Sequence, residues 1–359
     1  MWSRMGGMES GVYSFFSRAK VALWSRGMSI EQLRSGGFVS SARIKAWENE
    51  GRMKLSPQEL DAICNLTGFP KDFFSKGCIE GLPSEEEFLE GEAILCASTV
   101  LGMELNDFLR KEFNYPTPCI PQLKSTSPEK IARELRVAWN VGESALPNVV
   151  QLLESKGVGV FGVLPGTDLS FLKEGQFPCV FVPLGESAPV FRFEVVKQLG
   201  ELILFPAGHD GVCVHDVERD VMRFAVEFCV PEKFIVEHVE KSLKFGDVAY
   251  FSSGLKVPFD VFVWKLWDIG MLNAREYSGL LMANKTRDVD SSVVFDRSRL
   301  FDVVVSDVGG LDVLARKLRF PIDVLGWLML GVCPYAVFGS GAVELSTRRD
   351  VSRHLHVVK

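Results

Sequence analysis

No C-x-x-C pair occurs among the eight cysteines, which stand at 64, 78, 96, 119, 179, 213, 229 and 333. That spacing argues against a zinc ribbon or a thioredoxin-like motif. Scattered cysteines in a long chain read as buried thiols in a reducing compartment, so a cytoplasmic location is expected. Positive charge is also short. Forty Lys+Arg against 46 Asp+Glu leave a net charge of −6, so any nucleic-acid binding has to come from a local patch. The first residues, MWSRMGGMESGVYSFF, hold no continuous apolar stretch with a small-residue cleavage site and do not read as a signal peptide. G-x-S-x-G and a Gly-rich phosphate loop are missing as well, and Gly339-Ser340-Gly341 reads as a turn. One stretch, 324–343, runs twenty residues without a charge and is long enough to be a membrane candidate. Pro334 and the glycines at 326, 331, 339 and 341 interrupt it, so buried core is expected there and no membrane span.

What remains is ordinary globular composition: 359 residues, 47% hydrophobic and 24% charged. This excludes a disordered, collagen-like or disulfide-stapled chain and leaves room for two or three domains. Between 17 and 76 the pattern predicts short helices over 17–24, 29–34 and 40–47. A fourth opens at Ser56-Pro57, an N-cap and first-turn pair, and closes at Gly68. Ser84, with Glu87 placed for a capping box, predicts a further helix reaching about Glu112. Four prolines within 114–128 then make a stiff connector. Beyond it we expect helices over 127–139 and 146–156, and strands at 158–164 and 179–183. Two amphipathic helices follow, one carrying Val195, Val196, Leu199, Leu202 and Ile203, the other Val217, Val221, Phe224, Ala225 and Phe228. Residues 255–285 read as helical. The last seventy residues are mixed, with 311–330 as a helix pair that would pack on the body or form a dimer contact.

Three segments of the head, MSIEQL (28–33), VSSARIKAWENEG (39–51) and LSPQELDAICNLTGFPKDFF (55–74), together resemble the XRE (lambda-repressor-like) helix-turn-helix family. Leu33, Val39, Ile44 and Trp47 occupy its buried positions. A helix offering Ser40, Ser41, Arg43 and Lys45 can enter a major groove and present donors to bases and phosphates, with Ser29 at the preceding helix. Where the family often has a polar residue after that serine, this chain has Ile30, which removes a donor. Residues 17–75 hold nine Lys/Arg and six acids, so the head is +3 and the rest of the chain −9. The plainer alternative is that Arg43 and Lys45 are solvated surface charges on a dimerisation module.

The second half resembles the ImmA/IrrE family of metallopeptidase-like domains. The likeness rests on SPEKIARELRVAW (127–139), LPNVVQLLESKGVGVFGV (146–163), FPCVFVP (177–183), RFEVVKQLGELILF (192–205), DVERDVMRFAVEFCVP (216–231) and the segment 255–277. The resemblance implies an H-E-x-x-H helix, in which two histidines hold zinc and the glutamate is general base. Here those positions read Lys197, Gln198 and Glu201, and the third-ligand position reads Asp220. A protonated lysine has no lone pair for a metal, and glutamine accepts no proton at neutral pH. No catalytic residue, metal or cofactor is therefore expected. Lys197 and Glu201 would form an i,i+4 ion pair, or simply a solvated polar face. A relocated metal site using His209, His215, Glu201, Glu218 and Asp220 has no recognised ligand spacing behind it.

The expectation is thus an α+β, predominantly helical chain. It would comprise a tail (1–16), an all-α lambda-repressor-like head (17–76), a helical linker with a Pro-rich end (77–128), a zincin-like degenerate peptidase domain (129–288) and a C-terminal extension (289–359). The resemblances imply a non-enzymatic, repressor-type transcriptional regulator that binds double-stranded DNA as a homodimer. The setting they imply is a phage, mobile-element or toxin–antitoxin context, with the vestigial cleft open to a peptide, small-molecule or protein effector. The alternatives are a protein-interaction module such as an anti-repressor, decoy or antitoxin, and an unconventional metallopeptidase.

Overall fold

The computed structural model describes residues 13–50, 52–54, 56–83, 92–121, 123, 125–164, 178–205, 213–240, 243–284 and 295–330. The chain is predominantly helical. The head is not all-α as expected: a short strand β1 (Tyr13–Phe15), from the segment expected as a tail, pairs antiparallel with β2 (Arg52–Lys54). Around this clip lie α1 (Phe16–Trp24), α2 (Glu31–Ser35), α3 (Ser41–Glu50), α4 (Pro57–Thr67) and α5 (Lys71–Phe74). The capping chemistry read from Ser56 and Gly68 is realised in full. Glu59 N–H donates to Ser56 Oγ at 3.3 Å, Ser56 N–H donates to the Glu59 carboxylate at 2.7 Å, and Gly68 ends α4 in the left-handed region at φ +76°.

Helix α6 (Glu92–Glu112) follows, and the helix start expected at Ser84 and Glu87 lies outside the described residues. Then come α7 (Pro128–Ala138), α8 (Val149–Ser155), β3 (Gly159–Val163), β4 (Cys179–Pro183), α9 (Ala188–Leu204) and α10 (Val214–Cys229). Smaller helices complete the body: α11 (Glu232–His238), α12 (Phe245–Leu255), α13 (Phe259–Asp268) and α14 (Ala274–Asn284). The chain resumes with α15 (Arg299–Val308), α16 (Leu311–Leu318) and α17 (Ile322–Leu328).

β3 and β4 pair in parallel, Gly159 opposite Cys179. Parallel strands need cover on both faces, and this two-stranded sheet divides two apolar cores. Phe161, Val163 and Phe181 face one core, shared by α6, the head and α15–α17; Val160, Val180 and Val182 face the other, built by α7–α10, α12 and α13. The alternation is the period-2 pattern of a strand. Close approach of the sheet to its neighbours depends on glycine. A Cβ on Gly162 would lie 2.2 Å from the Trp327 carbonyl oxygen, and one on Gly102 would lie 2.5 Å from the Phe181 ring. On the second side, buried Glu227 of α10 takes the Lys265 ammonium of α13 at 2.7 Å and Arg133 of α7 at 3.1 Å, joining three helices.

The helix pair expected within 311–330 exists as α16 and α17, and it packs with the head and α6. Residues 324–329 are buried. Among the described residues no helix is long and apolar enough to cross a membrane. Segment 77–128, expected as a linker, contributes Leu95, Leu101, Leu105 and Leu109 of α6 to the first core.

Candidate functional site

Two places carry the residues singled out from the sequence: the α2–α3 corner of the head and the α9–α10 face of the body. At the corner, α2 ends on Gly36, and Gly37 turns the chain in the left-handed region at φ +71°. The amides of Phe38 and Val39 both return to the Leu33 carbonyl, at 3.1 and 3.2 Å. Val39 then drops into the core, and Ile44 and Trp47, three apart on α3, point inward. Ser40, just before α3, and Ser41, Arg43 and Lys45 on it are all exposed, and Ser41 and Lys45, four apart, share a face. Ser29 is exposed too, its N–H donating to the Gln32 side chain at 3.0 Å before α2. Ile30, the departure from a polar residue, is only 4% exposed. It is a core residue, which accounts for its apolar side chain.

The charge of the head is more committed than its count suggests. Arg43 pairs with Glu59 at 3.1 Å, the same glutamate that caps α4, and its guanidinium lies over the Trp47 ring at 5.5 Å. Buried Arg18 binds Glu104 of α6 and the Gly77 carbonyl, and Arg26 binds Asp323 of α17 and the Thr67 carbonyl. Arg34 pairs with Glu31, and Lys71 with Asp61. Lys45 is the exposed α3 cation whose charge is not drawn into the fold by any of these pairs. Partners 86 and 297 residues away in sequence, as for Arg18 and Arg26, leave no local signal from which the pairing might have been read.

On the body, α9 brings Lys197, Gln198 and Glu201 together, and α10 brings Asp220. Lys197 turns back to Glu194, its ammonium 3.0 and 3.1 Å from the two carboxylate oxygens, so this i,i+3 pair replaces the expected reach towards Glu201. Asp220 accepts from Arg219 Nε at 3.0 Å. Gln198 is buried, and its amide oxygen has no hydrogen-bond partner among the described residues. Gly200 exists for packing, since a Cβ there would meet the Phe224 ring at 2.7 Å. An ion-paired ammonium and a neutral amide do not fit a zinc site. No group of three His, Cys, Asp or Glu side chains among the described residues is placed to hold a metal ion. His215 is exposed beside Glu218 at 3.7 Å, and His209 lies outside the described residues.

Elsewhere, burial pushes the thiols of Cys179 and Cys229 up to about 12, so both stay protonated at neutral pH. Glu154, at the end of α8, is the acidic group sequence reasoning passed over. Burial raises its carboxyl to about 7, against the opposing pull of the Ser298 hydroxyl and the first amides of α15.

No protein-family model, curated protein or solved structure matches the chain. The functional reading therefore rests on the two sites themselves.

Proposed function

We propose that the chain is a DNA-binding transcriptional regulator of the repressor type, whose peptidase-like body serves sensing, oligomerisation or partner binding without catalysis. The observation that carries this reading is the α2–turn–α3 corner. Its inward Val39, Ile44 and Trp47 leave Ser41 and Lys45, four apart on α3, exposed on one face, with exposed Ser40 just before the helix. A helix so presented is what the major groove admits, with hydroxyl and ammonium donors for bases and phosphates. The resemblance to XRE-type heads supports the same assignment and implies a dimer reading two half-sites. On the body, Lys197 and Gln198 stand where the resemblance implies a metal ligand and the general base, and neither an ion-paired ammonium nor a neutral amide serves those roles, which supports a non-enzymatic role.

Arg43 refines the assignment. Tied to Glu59 and Trp47, it supports the corner from behind, and Lys45 with Ser40 and Ser41 is left as the contact set. The test is recovery and sequencing of genomic fragments bound by the purified protein, beside a Ser41→Ala/Lys45→Ala variant at near-physiological salt. Enrichment of a near-palindromic site that the variant loses supports the regulator. Equal recovery by both proteins overturns it and favours a second reading, a protein-interaction module that keeps the helical corner. The observation favouring that reading is the same internal neutralisation of the head's arginines.

A further inference from the structure

We propose that residues 295–328 form a strut that couples α9, the helix bearing the degenerate cleft, to the seating of the head. Only the consequence for DNA rests on the regulator reading; the mechanical coupling stands on the contacts alone.

The near end of the strut is zipped to α8 and α9 through four consecutive residues. Phe295 meets the Phe191 ring of α9 at 6.1 Å between centroids. Asp296 pairs with Arg192 of α9, both side chains almost wholly buried, and also accepts the Val149 N–H that opens α8 at 2.7 Å. The Arg297 carbonyl takes the amides of Asn148 and Gln151 at 3.0 and 3.2 Å. Ser298 donates to Glu154 and, through the same hydroxyl, caps α15 by accepting the Phe301 N–H at 3.0 Å. Arg192 stands five residues before Lys197, about 7.5 Å along one continuous helix.

The far end grips the head. Phe320 packs against Phe69 and Phe73 with centroids 6.4 and 6.2 Å away. Asp323 receives both terminal nitrogens of Arg26, the longer contact at 3.2 Å, while Arg26 Nε holds the Thr67 carbonyl at 2.7 Å. Arg319 donates to the Asp72 carbonyl at 3.1 Å. Between the ends, Phe301 lies on Phe161 of β3, and the Trp327 carbonyl presses on Gly162. Packed interiors pass displacement on and do not absorb it, so a shift of α9 at Arg192 reaches the head through α15–α17.

Coupling of this kind is reciprocal, and reciprocity is what a merely local role lacks. The experiment is amide hydrogen exchange on the full chain for Asp296→Asn, Asp323→Asn and the double variant, with Asn148→Ala as a milder near-end change. We expect Asp296→Asn to speed exchange in 67–76 of the head by about threefold or more. Asp323→Asn should do the same for 149–153 of α8. Amides of 262–266 should be unchanged, and the two single effects should not add in the double variant. Should Asp296→Asn unfold the chain, Asn148→Ala must still loosen the head in the same direction. Changes confined to the mutated end, or strictly additive effects, overturn the strut. DNA affinity measured on the same variants separates the two ideas: reciprocal exchange without DNA binding in any variant keeps the strut and removes the regulator.

Discussion

At the residue scale, Arg192 with Asp296 and Arg26 with Asp323 tie distant parts of the chain together. Arg43, which reads as a DNA contact, also supports its own corner: it pairs with Glu59 at 3.1 Å, and Arg43→Ala should lower stability by about 0.5–1 kcal/mol. Chemical unfolding checks this, with Lys45→Ala as the comparison that leaves stability unchanged. Glu154 gives a pH signature. Its folded value of about 7 lies above the ordinary 4.5, so the folded chain favours the neutral carboxyl. The stability it contributes is present in full below about pH 4.5 and is lost as pH rises to about 7, by about 3 kcal/mol at most. Glu154→Gln should flatten unfolding stability across that window, as followed by urea titration at several pH values. An unchanged slope would show that Glu154 is not held neutral. Asp323 moves the other way. Burial opposes its ionisation, but the hydrogen bond and charge of Arg26 hold the carboxyl below its usual range, so the far joint stays charged throughout the same window.

At the element scale, glycine positions separate packing from mere permissiveness. Gly162→Ala would push a methyl into the Trp327 carbonyl at 2.2 Å, and since backbone cannot yield, a loss of about 2 kcal/mol or more is expected. Gly279, inside α14 with open space around it, should gain about 0.5–1 kcal/mol as alanine. Thermal melts of the two variants test both signs together. The same scale shows what was legible from the sequence. Helix α4 could be read at both ends because Ser56, Pro57, Glu59 and Gly68 each act within one turn. Strands β3 and β4 could be read because β-branched and aromatic residues dominate GVFGV and CVFVP. Helices α12 and α16 carry no glycine stop signal, since each ends on a left-handed residue that is not glycine, Lys256 at φ 59° and Arg319 at φ 62°.

For the molecule as a whole, the head is not a bead on a string. Its α1, α4 and α5 share one core with α6 and α15–α17, and the sheet carries that core back to back with the body's. The sequence showed the composition of each part and the exposed face of α3. It could not show that Arg26 and Asp323, 297 residues apart, close the chain on itself. A chain truncated after Asn284 should consequently lose the head's cooperative melting, because Phe69, Phe73 and Leu101 would face water. Calorimetry would detect it, and a head melting unchanged would contradict the shared core.

The central claim, that the exposed face of α3 meets DNA, is tested most directly by the salt dependence of affinity for an enriched fragment. The wild-type chain should show log K falling linearly with log salt, and Lys45→Ala should weaken binding while reducing that slope by about 1, as loss of one phosphate contact requires. Affinity that ignores salt, or a slope and strength untouched by Lys45→Ala, would contradict the account.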